Sequence, residues 1–224
     1  MSRVLPILFN ADMIRAILDG RKTVTRRVCK DGNEYTVPDM SFYDEDKRTY
    51  AVHNYADKEH IDKLSLAERT CPICPGDILY VRETWNYVYN MDDNDQSIEG
   101  TGRYIYYADD PMPFSHWVDT DTGEHKEQMP WRPSIHMPKE AARIWLKVTN
   151  VRVERLQDMD CEDAMKEGID PRCCINLNHT VVKFSKLWNS TLKKSDLDRY
   201  GWDANPWVWV IEFKRCEKPE SEGI

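Results

Sequence analysis

The chain lacks any apolar run long enough to span a bilayer, and its mean hydropathy is −0.70. A transmembrane span is therefore excluded and no membrane partner is expected. No secretory leader is read either: MSRVLPILFNADMIRAILDG starts apolar but turns charged too soon. Cytoplasmic is the expected location. There is no positive balance, because 31 Lys and Arg against 39 Asp and Glu leave a net charge of −8. That argues against a non-specific duplex-DNA binder, while a partner gripped by one local basic patch stays open. Nor is there a disulfide framework: seven cysteines at irregular spacing read as reduced thiols. CPIC places Cys71 and Cys74 at metal-ligand spacing, but it has no second half and carries a proline inside. Cys29, Cys173, Cys174 and His136 are only conceivable completing ligands, so no metal is expected. No internal repeat and no low-complexity tract interrupts the chain.

What is present suits a folded globular protein. At 224 residues, 41% hydrophobic and 11% aromatic, the chain can build a core without disulfide or metal. Eight Trp and eleven Tyr supply large rings. Such rings fill cores and also stack on nucleobases, so their number does not separate the two uses.

Residues 5–9 (LPILF) read as a strand, and Asn10 caps a helix in which Met13, Ile14, Ile17 and Leu18 recur at helical spacing up to Gly20. The β-branched RKTVTRRVC follows as a strand. Residues 31–70 are polar and weakly periodic, an excursion beyond the core, and residues 109–130 read as a second one. Strands are expected over 78–89, 103–108, two segments between 142 and 156 that meet near Asn150, and 207–213. CEDAMKEGI reads as a short helix ended by Gly168, and residues 180–192 as an amphipathic helix with Val181, Phe184, Leu187 and Trp188 on one side. The expected fold is α+β, a small mixed β-barrel with flanking helices, as one domain over 1–216 with a flexible tail over 217–224.

One stretch stands apart. GRKTVTRR, residues 20–27, gathers four cations and two hydroxyls with no acid among them. Such a stretch holds an anion, holds catalytic groups, or is simply a solvated strand edge that blocks association. Trp85, Tyr107 and Trp131 are candidates to stack on a base. His136, between two prolines in WRPSIHMP, is a candidate acid, base or hydrogen-bonding group, or a half-buried histidine satisfied by backbone.

Together these pieces resemble the ASCH domain, a relative of the PUA fold. Gly20, Lys22 and Arg27 occupy the Gly, Lys and Arg positions of its G-x-K-x-x-E-x-R pattern. PGDIL at 75–79 resembles the family's turn into the next strand, and residues 207–213 its closing strand. VRETW, PWRPSIHMP and NPWVWVIEF are similar to segments of ASCH proteins carried by phages and prophages. The family's usual Glu is Thr25 here. That departure resembles a subgroup that hydrolyses N4-acetylcytidine with a Lys, a Thr and a Glu on a later helix, which implies Lys22, Thr25 and Glu167.

Hydrolysis of an N-acylated base requires a nucleophile, a proton acceptor and a group for the oxyanion. Thr25 takes the first role if Lys22 removes its proton, which demands an ammonium lowered by burial or by neighbours such as Arg21, Arg26 and Arg27. Glu167 passes the proton to the leaving amine or orients a water. Arg27 suits an oxyanion or phosphate. Because positions three apart face opposite ways on a strand, Lys22 is expected to precede the regular strand. The expected function is recognition of RNA or a modified nucleoside around Lys22, with amide hydrolysis as its chemistry and no cofactor. Alternatives are a non-catalytic RNA-binding protein, a phage–host interaction scaffold, or a ribonuclease.

Overall fold

The computed structural model describes residues 2–30, 32, 36–54, 65–94, 96–98, 100–114, 117–118, 122–126 and 129–220. In chain order the elements are β1 (Val4–Leu8), α1 (Ala11–Leu18), β2 (Val24–Val28), β3 (Thr36–Asp44), β4 (Thr49–Asn54), β5 (Ser65–Thr70), β6 (Ile78–Arg82), β7 (Trp85–Val88), β8 (Arg103–Tyr106), β9 (Trp117–Val118), β10 (His125–Lys126), β11 (Trp145–Arg155), α2 (Cys161–Lys166), α3 (Asn178–Thr191), α4 (Leu197–Tyr200) and β12 (Trp207–Cys216). Helices and several sheets together make a mixed α+β fold. The largest sheet has the order β1-β6-β11-β12-β2. It keeps edges at β1 and β2, so the expected barrel is corrected to a sheet that does not close. Among the described residues no helix is long and apolar enough to cross a membrane.

The chain divides into two compact units. The first comprises the chain up to Arg3, Asp19–Ile78 and Lys147–Lys214. Its core joins Val24, Val208 and Val210 of β2 and β12 to Leu156, Met159, Ala164 of α2, and Phe184 and Trp188 of α3. Burying each of those two rings is worth about 1.5–3 kcal/mol, which explains why the expected amphipathic face of α3 is the face that packs. The second unit comprises Val4–Leu18, Leu79–Leu146 and the chain from Arg215. In it α1 buries Ile14, Ala16 and Ile17, and the Asn10 side chain caps the helix by accepting from the Met13 amide at 2.9 Å. Gly20 follows α1 with φ +75°, the left-handed stop that its position demands.

Two local expectations are overturned, and a third gains detail. Within residues 31–70, read as an excursion beyond the core, the described stretches β3, β4 and β5 form an antiparallel sheet in which Tyr50, Ala51 and Val52 are buried. The Tyr50 ring meets Trp209 edge-on at 4.8 Å. Pro38 and the register shift between Asp39 and Asp44 break the alternation that marks a strand in sequence. The single strand expected over 78–89 is two strands, because the Glu83 amide turns to Met137 Sδ at 3.2 Å and β7 pairs instead with β8. The two strands expected to meet near Asn150 are one, β11, whose Asn150 is exposed and needs no bend. Of the expected flexible tail, residues 221–224 lie outside the described residues.

Candidate functional site

The basic stretch folds at the free edge of the large sheet, within the first unit. β2 pairs with β12 in the register Thr25↔Ile211, Arg26↔Val210 and Arg27↔Trp209. Thr23 O accepts from the Phe213 amide, and the Cys29 amide donates to Trp207 O, both at 2.9 Å. Odd-numbered residues of β2 therefore turn their backbone groups toward β12, and the even-numbered Val24 and Arg26 turn theirs to the open edge. Side chains close that edge. Lys22 Nζ donates to Val24 O at 2.8 Å, and Arg27 Nη1 to Arg26 O at 3.2 Å. The reading of a solvated cationic edge is corrected: the side chains of Lys22 and Arg26 are 0% exposed.

Lys22 precedes β2, as the spacing argument required. Its ammonium spends three protons on three acceptors: Val24 O, Glu167 O at 2.9 Å and Glu167 Oε2 at 2.6 Å. Glu167 stands at the C-terminal cap of α2, which Asp160 begins by accepting from the Asp163 amide at 2.8 Å. The helix thus delivers its last carboxylate to the edge of β2, and the Thr23 amide fixes the junction by donating to Lys166 O at 2.9 Å. The other Glu167 oxygen, Oε1, accepts from Arg26 Nη1 at 3.3 Å. Arg26 also donates to Glu154 Oε1 at 2.6 Å and Asp163 Oδ2 at 3.0 Å.

Burial pushes the Lys22 ammonium below its usual range; Glu167 pulls it back, and Arg27 and Arg26 add to the fall. Burial also lowers Arg27, against the pull of Glu167. For Arg26 burial opposes the charge, but Glu167, Glu154 and Asp163 outweigh it and raise its pKa. Removing a proton from Lys22 is therefore easier here than in water, while Arg26 stays a fixed cation.

Thr25 is buried, and among the described residues its hydroxyl makes no hydrogen bond. Strand alternation places it with Arg27 on the face opposite Arg26, beside Ile211. Even so, Lys22 Nζ touches the carbonyl of the peptide that joins Val24 to Thr25. The structure brings Lys22 and Glu167 into contact and leaves Thr25 one peptide from the ammonium without a bond to either. Arg21 is half-buried and donates to Gly168 O at 2.7 Å and Asp19 Oδ2 at 2.9 Å, so it serves the α2 junction.

The remaining candidates lie in the second unit. Trp85 is 5% exposed, its buried indole N–H has no partner among the described residues, and the Arg132 guanidinium lies 5.3 Å from its ring centroid. A core position fits Trp85 better than base stacking. Tyr107 and Trp131 meet edge-to-face at 5.4 Å and line a cavity of about 300 Å³. His136 is exposed and ends a single 3₁₀ turn, Ser134–His136, not the extended segment its prolines suggest.

Sequence reasoning missed Glu154 and Asp163, which hold Arg26. Asp163 had a signal, since it precedes Glu167 by one helical turn; Glu154 joins only through the fold. It also missed the pair in the second unit between buried Glu83 and Arg143, at 2.9 and 3.0 Å. Cys71 and Cys74 are buried beside Asp77, and burial pushes the Cys71 thiol up. Among the described residues no group of three or more His, Cys, Asp or Glu side chains is arranged to hold a metal ion. Comparison with protein-family models, with curated proteins and with solved structures finds no match.

Proposed function

We propose that this chain has a PUA-like ASCH fold and recognises a modified nucleoside at Lys22, hydrolysing the amide of an N4-acylated cytidine. The observation that carries this reading is the buried contact of 2.6 Å between Lys22 Nζ and Glu167 Oε2, across 145 positions of sequence. A short contact between a depressed ammonium and a carboxylate is a proton store. Transfer of one proton from Nζ to Oε2 leaves a neutral amine and a neutral acid. The amine then takes the Thr25 hydroxyl proton while the oxygen attacks the acyl carbon. Glu167 returns its proton to N4 as the C–N bond breaks, cytidine departs, and water hydrolyses the threonine ester to free the acid. Arg27, half-buried and on the strand face it shares with Thr25, is the cation assigned to the oxyanion.

The test is release of cytidine from N4-acetylcytidine by the purified chain. Lys22→Ala and Thr25→Ala are each expected to lower turnover by at least a hundredfold. Turnover absent in the wild type, or unchanged in Thr25→Ala, rejects hydrolysis through this hydroxyl. A second reading, binding without turnover, is favoured by the missing bond between Thr25 and the pair. It expects N4-acetylcytidine to bind the wild type and to emerge unchanged.

A further inference from the structure

The second unit contains a ligand-sized hollow that the Lys22 chemistry does not use. Among the described residues Tyr107, Pro111, Met112, Pro113, Phe114, Met129 and Trp131 line it, around about 300 Å³. That volume is at the lower limit for small-molecule pockets, enough for one ring system and little more. Among the described lining residues no side chain is charged, which disfavours a bare phosphate, carboxylate or metal ion as the occupant. Three rings, two thioethers and two prolines instead favour a flat polarisable group.

The walls are fixed. Trp131 Nε1 donates to Pro111 O at 3.1 Å, which holds the indole in place and closes the Pro111–Trp131 side. Tyr107 is anchored through its amide to Thr84 O at 3.0 Å. The two rings cross at 85°, so a plate lying flat on one presents its edge to the other. Of the side chains lining the hollow, Trp131 spends its only donor on Pro111, and the Tyr107 hydroxyl has no partner among the described residues. A ligand thus meets these two aromatic side chains, of which Tyr107 carries the hydroxyl not already bonded among the described residues. A phenyl ring would leave that hydroxyl unused, whereas a heteroaromatic ring with polar edges pairs with it. Met112 is a lining residue that is 60% exposed.

We propose that the Tyr107–Trp131 corner is a nucleobase-stacking site, distinct from the Lys22 site and able to take one unmodified base, free or in a single strand. Base–aromatic stacking tolerates any base, so little preference among adenosine, cytidine and uridine is expected.

The experiment is titration calorimetry of the full chain with adenosine, cytidine and short oligocytidine, beside N-acetyltryptophanamide as the peptide-like ring. Saturable binding of the nucleosides is expected, weakened roughly tenfold or more in Trp131→Ala. Met112→Glu, which places a charge on an exposed lining residue without touching the core, is expected to weaken it as well. Adenosine has no N4-acyl amide and reports on this corner alone, whereas the hydrolase reading is scored on N4-acetylcytidine, so failure here is separable from failure of the hydrolase reading. No nucleoside binding, binding indifferent to both Trp131→Ala and Met112→Glu, or tighter binding of N-acetyltryptophanamide than of any nucleoside overturns the proposal.

Discussion

At the scale of single residues, the chain commits charge where water is absent. A buried pair such as Lys22–Glu167 gains little over an apolar pair, but breaking it strands a charge and costs about 3–5 kcal/mol. Lys22→Met and Glu167→Leu are each expected to lower unfolding stability by about that much, and the double variant by less than either. Urea denaturation of the three variants measures this; a double variant as costly as the sum of the singles contradicts a direct pairing. Asp77 carries a pH consequence. Burial opposes its charge, but Arg3, the Cys74 amide and the Arg3 amide outweigh that and hold its carboxyl below the ordinary 3.8. A depressed carboxyl contributes stability that is complete above its unfolded value and lost as pH falls through its folded one. The melting temperature is expected to drop below pH 4 with a slope that Asp77→Asn makes shallower. Residue roles were only partly legible in the sequence: Lys22 drew attention through a one-sided cationic stretch, whereas Glu167 is an ordinary helical acid until the fold brings it 145 positions back.

Among the elements, α2 matters beyond its six residues. It begins at the Asp160 cap and ends at Glu167, so its placement sets the carboxylate. Asp160→Ala is expected to cost about 1 kcal/mol of stability and to lower turnover while Arg26 remains paired to Glu154. Elements with strong local signals were legible: the Asn10 cap and Gly20 stop bracket α1, and the periodic Phe184 and Trp188 mark α3. The sheet β3-β4-β5 was not, since Pro38 and an irregular register erase the period-two pattern and its partners are set by pairing along the backbone. The break between β6 and β7 was hidden for a related reason. Nothing in VRETW shows that the Glu83 amide will turn to a methionine sulfur far along the chain.

For the whole molecule, a net charge of −8 opposes a nucleic-acid track, and the basic stretch spends Lys22 and Arg26 on internal pairs. Arg26 is closed in by three acids, so it is unavailable to a phosphate. Affinity for N4-acetylcytidine is therefore expected to stay nearly constant between 50 and 200 mM salt, unlike the losses of about a thousandfold or more seen with many phosphate contacts. A steep salt slope would point to an extended strand as ligand. The most direct trial of the account follows acetate release from N4-acetylcytidine by the wild type and by Glu167→Gln, which keeps the size of the side chain and removes its proton exchange. Steady release by the wild type and a loss of a hundredfold or more in Glu167→Gln is the predicted result. Equal rates in the two proteins would mean that the Lys22–Glu167 contact only holds the sheet edge together.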